Sequence, residues 1–185
     1  MLKKNILILM IMVALAGGVT ASSMNDTRLP GGGSEPRLAE KDDNAMPANE
    51  DLAIVVNIAN TTDNLSLVQL RSIFLAERAH WSDRQKITVV MREQGHPERA
   101  LILRAVCRMS ETDFNQYLMH STFTGQVQAG PKLVTSAPGV RKFVFNVPGA
   151  IGYLRAAEVD RSVKVVRIEG RLPGDEGYRL KLERR

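Results

Sequence analysis

Arg92-Glu93-Gln94-Gly95-His96 gathers, within five residues, the groups a protein uses to hold an anion. A guanidinium offers a planar two-donor fork to phosphate or carboxylate and stays charged at any ordinary pH. Gly95 lets the backbone approach a ligand closely, and the imidazole of His96 adds a donor whose charge depends on pH. These residues follow the β-branched run Ile87-Thr88-Val89-Val90-Met91, which reads as a buried strand. They precede Pro97, which suits the first turn of a helix because its missing N–H costs nothing there. Strand, turn and helix in that order put the turn at the carboxyl end of a sheet, where open α/β proteins bind ligands. There a helix N-terminus presents unpaired N–H groups to an oxyanion. A second such turn follows Leu52–Val56 and supplies Asn57, Thr61 and Thr62. The expected ligand contacts are therefore Arg92, Gly95 and His96, with Asn57 and Thr62 beside them at one sheet edge.

The neighbouring residues oppose that reading. Pro97 removes one backbone donor, and Glu98 adds a negative charge to the same short segment. Two unit charges about 4 Å apart interact by ~4 kcal/mol at an effective dielectric of 20. Arg99 is expected to neutralise Glu98, which would make the pair a structural salt bridge. Arg92 and Glu93 can equally be an exposed charge pair worth under ~1 kcal/mol.

Nothing in the chain points to catalysis. His80, His96 and His120 lack the spacing of a metal site, and neither a Gly-x-Ser-x-Gly elbow nor a phosphate loop is present. No cofactor and no metal are expected, and the protein does not read as an enzyme. Basic patches interleaved with aromatic residues are missing, so nucleic acid is not an expected partner. Cys107 is the only cysteine, which rules out an internal disulfide; it falls on an apolar helix face and reads as an inert buried thiol.

The elements that would carry the site follow from periodicity. Leu52–Val56 is a strand buried on both faces. Ser66 and Gln69 form a capping box, with Leu65 and Leu70 as its hydrophobic staple, for a helix whose stripe is Leu67, Leu70, Ile73 and Phe74. Trp81 closes the turn into the strand at 87–91. Leu101, Ile102, Ala105, Val106 and Met109 form the inner face of the next helix. Ser110 caps another, with Phe114, Tyr117 and Leu118 on one side. Thr122 opens a polar loop to Pro131, with Phe123 expected to plug its underside or, alternatively, to stand exposed as a docking aromatic. Ser136 precedes a helix that ends at Pro148-Gly149; Ala150–Leu154 and Val163–Ile168 are strands. Tyr178, Leu180 and Leu182 alternate like an edge strand. Alternating strands and helices predict an α/β domain with a mostly parallel sheet flanked by helices.

Taken in order, the run ending in Asn57, the segment Leu70–Leu75, Trp81, the stretch Ile87–Gly95 and Asn146-Val147-Pro148-Gly149-Ala150-Ile151-Gly152-Tyr153 resemble the phosphate-type periplasmic solute-binding proteins of ABC transporters. The likeness spans roughly Leu52 to Glu169 and is nearest to their small single-lobe relatives. It implies the fold of one lobe of a type II periplasmic binding protein, and by position Arg92 matches the arginine that contacts phosphate in the two-lobed proteins. It also implies a departure: His96-Pro97-Glu98 stand where that family has Ser-Gly-Thr around phosphate.

Lys3, Lys4 and the apolar Ile6–Ala16 read as a secretory signal cleaved near Ala21, so residues 1–21 are a signal peptide and the mature protein is expected in the periplasm without stable membrane insertion. Residues 22–50, rich in Gly, Ser, Pro, Asn and acids, read as a disordered linker. Residues 51–185 are then a single domain with twenty bases and fourteen acids, a diffuse excess that suits an anionic partner or a solvated basic face. The leading reading is a periplasmic solute-binding module for a small oxyanion or other anionic solute, phosphate among them, partnered by an ABC transporter permease or another periplasmic protein. The competing reading is a protein-interaction or accessory module that kept the fold and lost the ligand.

Overall fold

The computed structural model describes residues 50–127 and 129–182. The segment expected to be a signal peptide and nearly all of the segment expected to be a linker lie outside the described residues. Strand β1 (Leu52–Asn57) is buried along its whole length, as a continuous apolar run requires. β2 (Asn64–Leu65) leads into α1 (Leu67–Phe74), where Ser66 accepts from the Gln69 amide and Gln69 reaches back, a box worth about 1 kcal/mol. Leu65 and Leu70 are both buried beside it, as a staple should be.

β3 (Thr88–Arg92) follows, then α2 (Pro97–Leu101). The expected single helix over this region departs from α geometry at Ile102 and runs as a π-helix to Cys107, ending at a left-handed Arg108 (φ 56°). The wider turn adds Leu103 and Cys107 to the buried face, while Ala105 and Met109 are only partly buried against it. α3 (Glu111–Phe123) is capped by Ser110 and Asp113 and continues through Thr122 and Phe123. The expected loop therefore starts later, and Phe123 is 91% exposed rather than a plug.

After β4 (Lys132–Val134) come α4 (Ala137–Asn146), β5 (Ala150–Arg155), β6 (Val163–Val165) and β7 (Arg167–Ile168). The strand expected over Val163–Ile168 thus breaks at Val166. Its first half joins the main sheet and its second pairs with β2 in a separate parallel ribbon. The C-terminal alternation forms a bridge rather than a strand: the Leu52 amide donates to Leu180 O, and the Tyr178 hydroxyl donates to Leu52 O at 2.8 Å.

The main sheet has the order β4-β3-β5-β1-β6. β4, β3, β5 and β6 run one way, and β1, in the interior, runs the other. Alternation along each strand feeds two cores. Leu52, Ile54, Val56, Met91, Ile151 and Tyr153 face α1, α3 and the π-helical segment. Ala53, Val55, Val90, Ala150 and Leu154 face Val140 and Val144 of α4. The fold is a three-layer α/β sandwich with a mostly parallel sheet, as the sequence predicts.

The glycines of the 146–153 stretch are required by contact. A Cβ on Gly149 would lie 2.0 Å from Lys86 O, and one on Gly152 would lie 2.6 Å from Val90 Cγ1. Gly149 O also accepts from Thr88 N and from Trp81 Nε1 (3.0 Å), which locks the buried Trp81 over the start of the sheet.

Candidate functional site

Arg92 is the last residue of β3, and its surroundings define the carboxyl edge of the parallel strands. Its amide donates to the Tyr153 hydroxyl on β5 at 3.0 Å, and its carbonyl accepts from Arg99 Nη1 at 3.0 Å. Its guanidinium Nη2 donates to Thr135 O at 3.0 Å and meets His96 Nδ1 at 3.1 Å. Among the described residues, its buried Nε has no hydrogen-bond partner. The group is therefore half-buried and fixed from both flanks, and it does not form the exposed pair with Glu93. Gly95 turns the chain at φ +91°, with open space on the side a Cβ would take. Arg92, Gly95 and His96 thus come together as expected.

Asn57 and Thr62 do not join them. Because β1 is antiparallel to β5, Asn57 leaves the sheet beside the start of β5, at the edge opposite Arg92. Its buried amide donates to the carbonyls of Val144 and Phe145 at 2.9 and 2.7 Å, closing the C-terminal end of α4. Thr62 lies in the loop that follows at that same edge, its amide held by Asn60 Oδ1. The expectation of one edge assumed that β1 runs with its neighbours, and chain direction overturns it.

The acids of the region are spoken for. Glu98 is buried and accepts from Arg155 Nε at 2.5 Å, so its partner is Arg155 of β5 and not Arg99. Burial alone would raise the Glu98 carboxyl, but the Arg155 hydrogen bond, a backbone hydrogen bond and the charges of Arg155 and Arg92 outweigh it and hold the group below the usual carboxylate range. Arg99 turns instead to α3, where its Nε and Nη2 meet Glu111 at 3.0 and 2.6 Å, with its guanidinium over the Phe114 ring. These two pairs pin α2 to β5 and to α3. They also leave neither Glu98 nor Glu111 as a bare carboxylate beside the Gln94–Pro97 turn.

A groove of about 850 Å³ opens from the Gln94–Pro97 turn, with Ala100, Leu101 and Leu182 as its apolar part and Arg104 and Arg155 among its charged lining. His96 belongs both to this groove and to the Arg92 cluster. Arg155, Tyr153 and Thr135 were not singled out from the sequence as parts of this site. Only Tyr153 carried a signal, as the last residue of the glycine-bearing stretch. α2 is just five residues long with Pro97 at its first position, so the site rests on side chains more than on a helix terminus. Cys107 is buried and burial pushes its thiol up to about 12, as expected of an inert core thiol. Among the described residues no cluster of three or more His, Cys, Asp or Glu is arranged to hold a metal ion, and no helix is long and apolar enough to cross a membrane.

No family model matches the chain. Solved structures do. An ABC-type phosphate transport receptor from Vibrio cholerae superposes with a TM-score of 0.54 at 25% identity, covering 67% of this chain and 48% of that one. A phosphate ABC transporter substrate-binding protein with bound phosphate from Clostridium perfringens gives 0.55 at 20% identity, covering 67% and 47%. PstS from Borrelia burgdorferi gives 0.56 at 15% identity, covering 72% and 55%. The fold is that of a phosphate-type periplasmic binding protein, in part. The chain spans about half the length of these proteins. The resemblance read from the sequence thus holds at the level of fold, and the neighbours are substrate-binding proteins rather than enzymes.

Proposed function

We propose that this protein is an exported solute-binding module whose anionic ligand docks at Arg92, Gly95 and His96. The observation that carries this reading is the Arg92 guanidinium, fixed by Thr135 O beside an open turn, with a buried Nε–H that lacks an acceptor. An unsatisfied buried donor costs about 1–3 kcal/mol, and an arriving oxyanion offers the missing acceptor. Neutralisation of Glu98 by Arg155 and of Glu111 by Arg99 leaves the edge suited to negative charge. The solute is a small oxyanion, with orthophosphate the first to test, and the module hands it to an ABC permease or another periplasmic protein. Residues 1–21 serve as the cleaved signal, 22–50 as the linker and 51–185 as the binding domain.

Titration calorimetry of the protein with orthophosphate tests the reading. Saturable binding that the Arg92→Ala variant loses supports it. Silence up to millimolar orthophosphate and sulfate in a folded protein refutes a small-oxyanion receptor.

A second reading has its own observation. Met119 and Phe123, four residues apart on α3, are 71% and 91% exposed, as a protein-docking face would be. On that reading the module binds a periplasmic partner through α3, and Phe123→Ser abolishes capture of that partner while Arg92→Ala does not.

A further inference from the structure

The groove that opens from the Gln94–Pro97 turn is far larger than the ion the turn could hold. At about 850 Å³ it has the size of a cleft for a small organic molecule, whereas orthophosphate is a single tetrahedral ion. We propose that the ligand of this site is an organic oxyanion, with its anionic head at Arg92 and His96 and a short uncharged body lying in the groove over Ala100 and Leu101. That assignment rests on the reading of Arg92, Gly95 and His96 as the anion site and names the class of solute the site takes.

Donors for the head converge from one side. Arg92 brings its buried, unpartnered Nε, while its Nη2 is held by Thr135 O, and His96 borders both this guanidinium and the groove. The neighbouring guanidiniums are already engaged. Arg99 gives Nε and Nη2 to Glu111 and Nη1 to Arg92 O, and Arg155 gives Nε to Glu98. Pro97 has no N–H to add, and α2 is too short to serve as an anion-binding helix. Oxygens taken out of water without donors are costly. An oxyanion with one position given over to an organic substituent therefore suits a one-sided donor set better than an ion that needs donors all round.

The groove also selects the character of the body. Pro97, Ala100, Leu101 and Leu182 form its apolar part. Of its charged lining, Glu111 is paired with Arg99 and Arg155 with Glu98, and Glu50 and Arg104 add one charge of each sign. No net charge is left to attract a second ionised group, so the body is uncharged. A fully buried methylene adds roughly fourfold to affinity. In a half-open groove about half of that free energy is realised, so a butyl chain should exceed a methyl group on the same head by on the order of tenfold.

The experiment is calorimetric titration of the protein with orthophosphate, methyl phosphate and butyl phosphate at one pH and one salt concentration. Acetate and pentanoate carry the same two chain lengths on a carboxylate, the other head that a guanidinium fork takes. The wild type is compared with Arg92→Ala and with Ala100→Trp, which fills the groove from an exposed position of α2. The expected result is a gain from methyl to butyl on the order of tenfold on at least one head, which identifies that head. The gain should disappear in Ala100→Trp, and Arg92→Ala should bind neither chain length. Should a variant fail to fold, the wild-type chain-length series decides alone. A gain beside silent orthophosphate supports the organic ligand and removes only the free ion as the solute. Equal affinity for methyl and butyl ligands on both heads, with orthophosphate bound, overturns the organic ligand and leaves the anion site standing. A gain that survives Ala100→Trp or Arg92→Ala in a folded variant overturns the placement of body or head. Silence of the wild type toward all five anions overturns the anion site and the organic ligand with it.

Discussion

The Glu98–Arg155 pair predicts an asymmetry between its two halves. The Glu98 side chain is 8% exposed and that of Arg155 is 41% exposed, and they meet at 2.5 Å. Glu98 Oε2 is buried with no partner among the described residues. In Arg155→Met the carboxylate loses its counter-charge and its hydrogen bond while only 8% of its side chain is exposed to water. Breaking a buried pair in this way costs about 3–5 kcal/mol. Because the Arg92 charge still acts on Glu98, the lower end applies, about 3 kcal/mol at pH 7. In Glu98→Leu the stranded group is Arg155, already two-fifths exposed, which simply rehydrates, so the cost is under about 1 kcal/mol.

The pH dependence separates this account from lost packing. In the wild type the folded Glu98 carboxyl titrates below its ordinary 4.5. Its stabilising contribution is therefore complete above that value and is lost as pH falls through the lower folded one. In Arg155→Met burial acts with less opposition and pushes the folded carboxyl up. The penalty is then present at neutral pH and fades as Glu98 protonates. Urea denaturation followed by circular dichroism at pH 7 and 3.5, on wild type, both single variants and the double variant, reads all of this. The expected loss in Arg155→Met shrinks from about 3 to about 1 kcal/mol on acidification. An equal loss at both pH values, or a larger loss in Glu98→Leu than in Arg155→Met, would refute the assignment of Glu98 as a buried carboxylate held by Arg155.

Further consequences can be measured separately. Gly149→Ala forces a Cβ to within 2.0 Å of Lys86 O and should cost on the order of 3 kcal/mol in denaturant melts, since the obstacle is backbone. Asn57→Ala strips two carbonyls at the end of α4 of their donor and should cost about 2 kcal/mol; anion binding at the opposite edge should be unchanged, which calorimetry would check. With its thiol buried and pushed up to about 12, Cys107 should resist alkylating reagents in the folded protein, and mass spectrometry should find it labelled only after unfolding.

Much of this molecule is legible in the chain because local rules act without knowledge of the rest. Ser66 and Ser110 announce helix starts through bonds to residues three positions on, and the β-branched apolar runs at 52–56 and 87–91 suit buried strands. Arg92, Gly95 and His96 converge because one short turn holds all three, so their proximity is a matter of sequence separation. The partners across the fold were not legible. Whether Glu98 meets Arg99 beside it or Arg155 fifty-seven residues away depends on which face of α2 packs against β5, and adjacent residues on a helix point about 100° apart. Whether Asn57 joins the site depends on the direction of β1, and a buried apolar run reads the same in both directions. Side-chain spacing carries no sign along a strand. Only the tertiary pairing, fixed by the packing of the whole sheet between its two helical layers, supplies it.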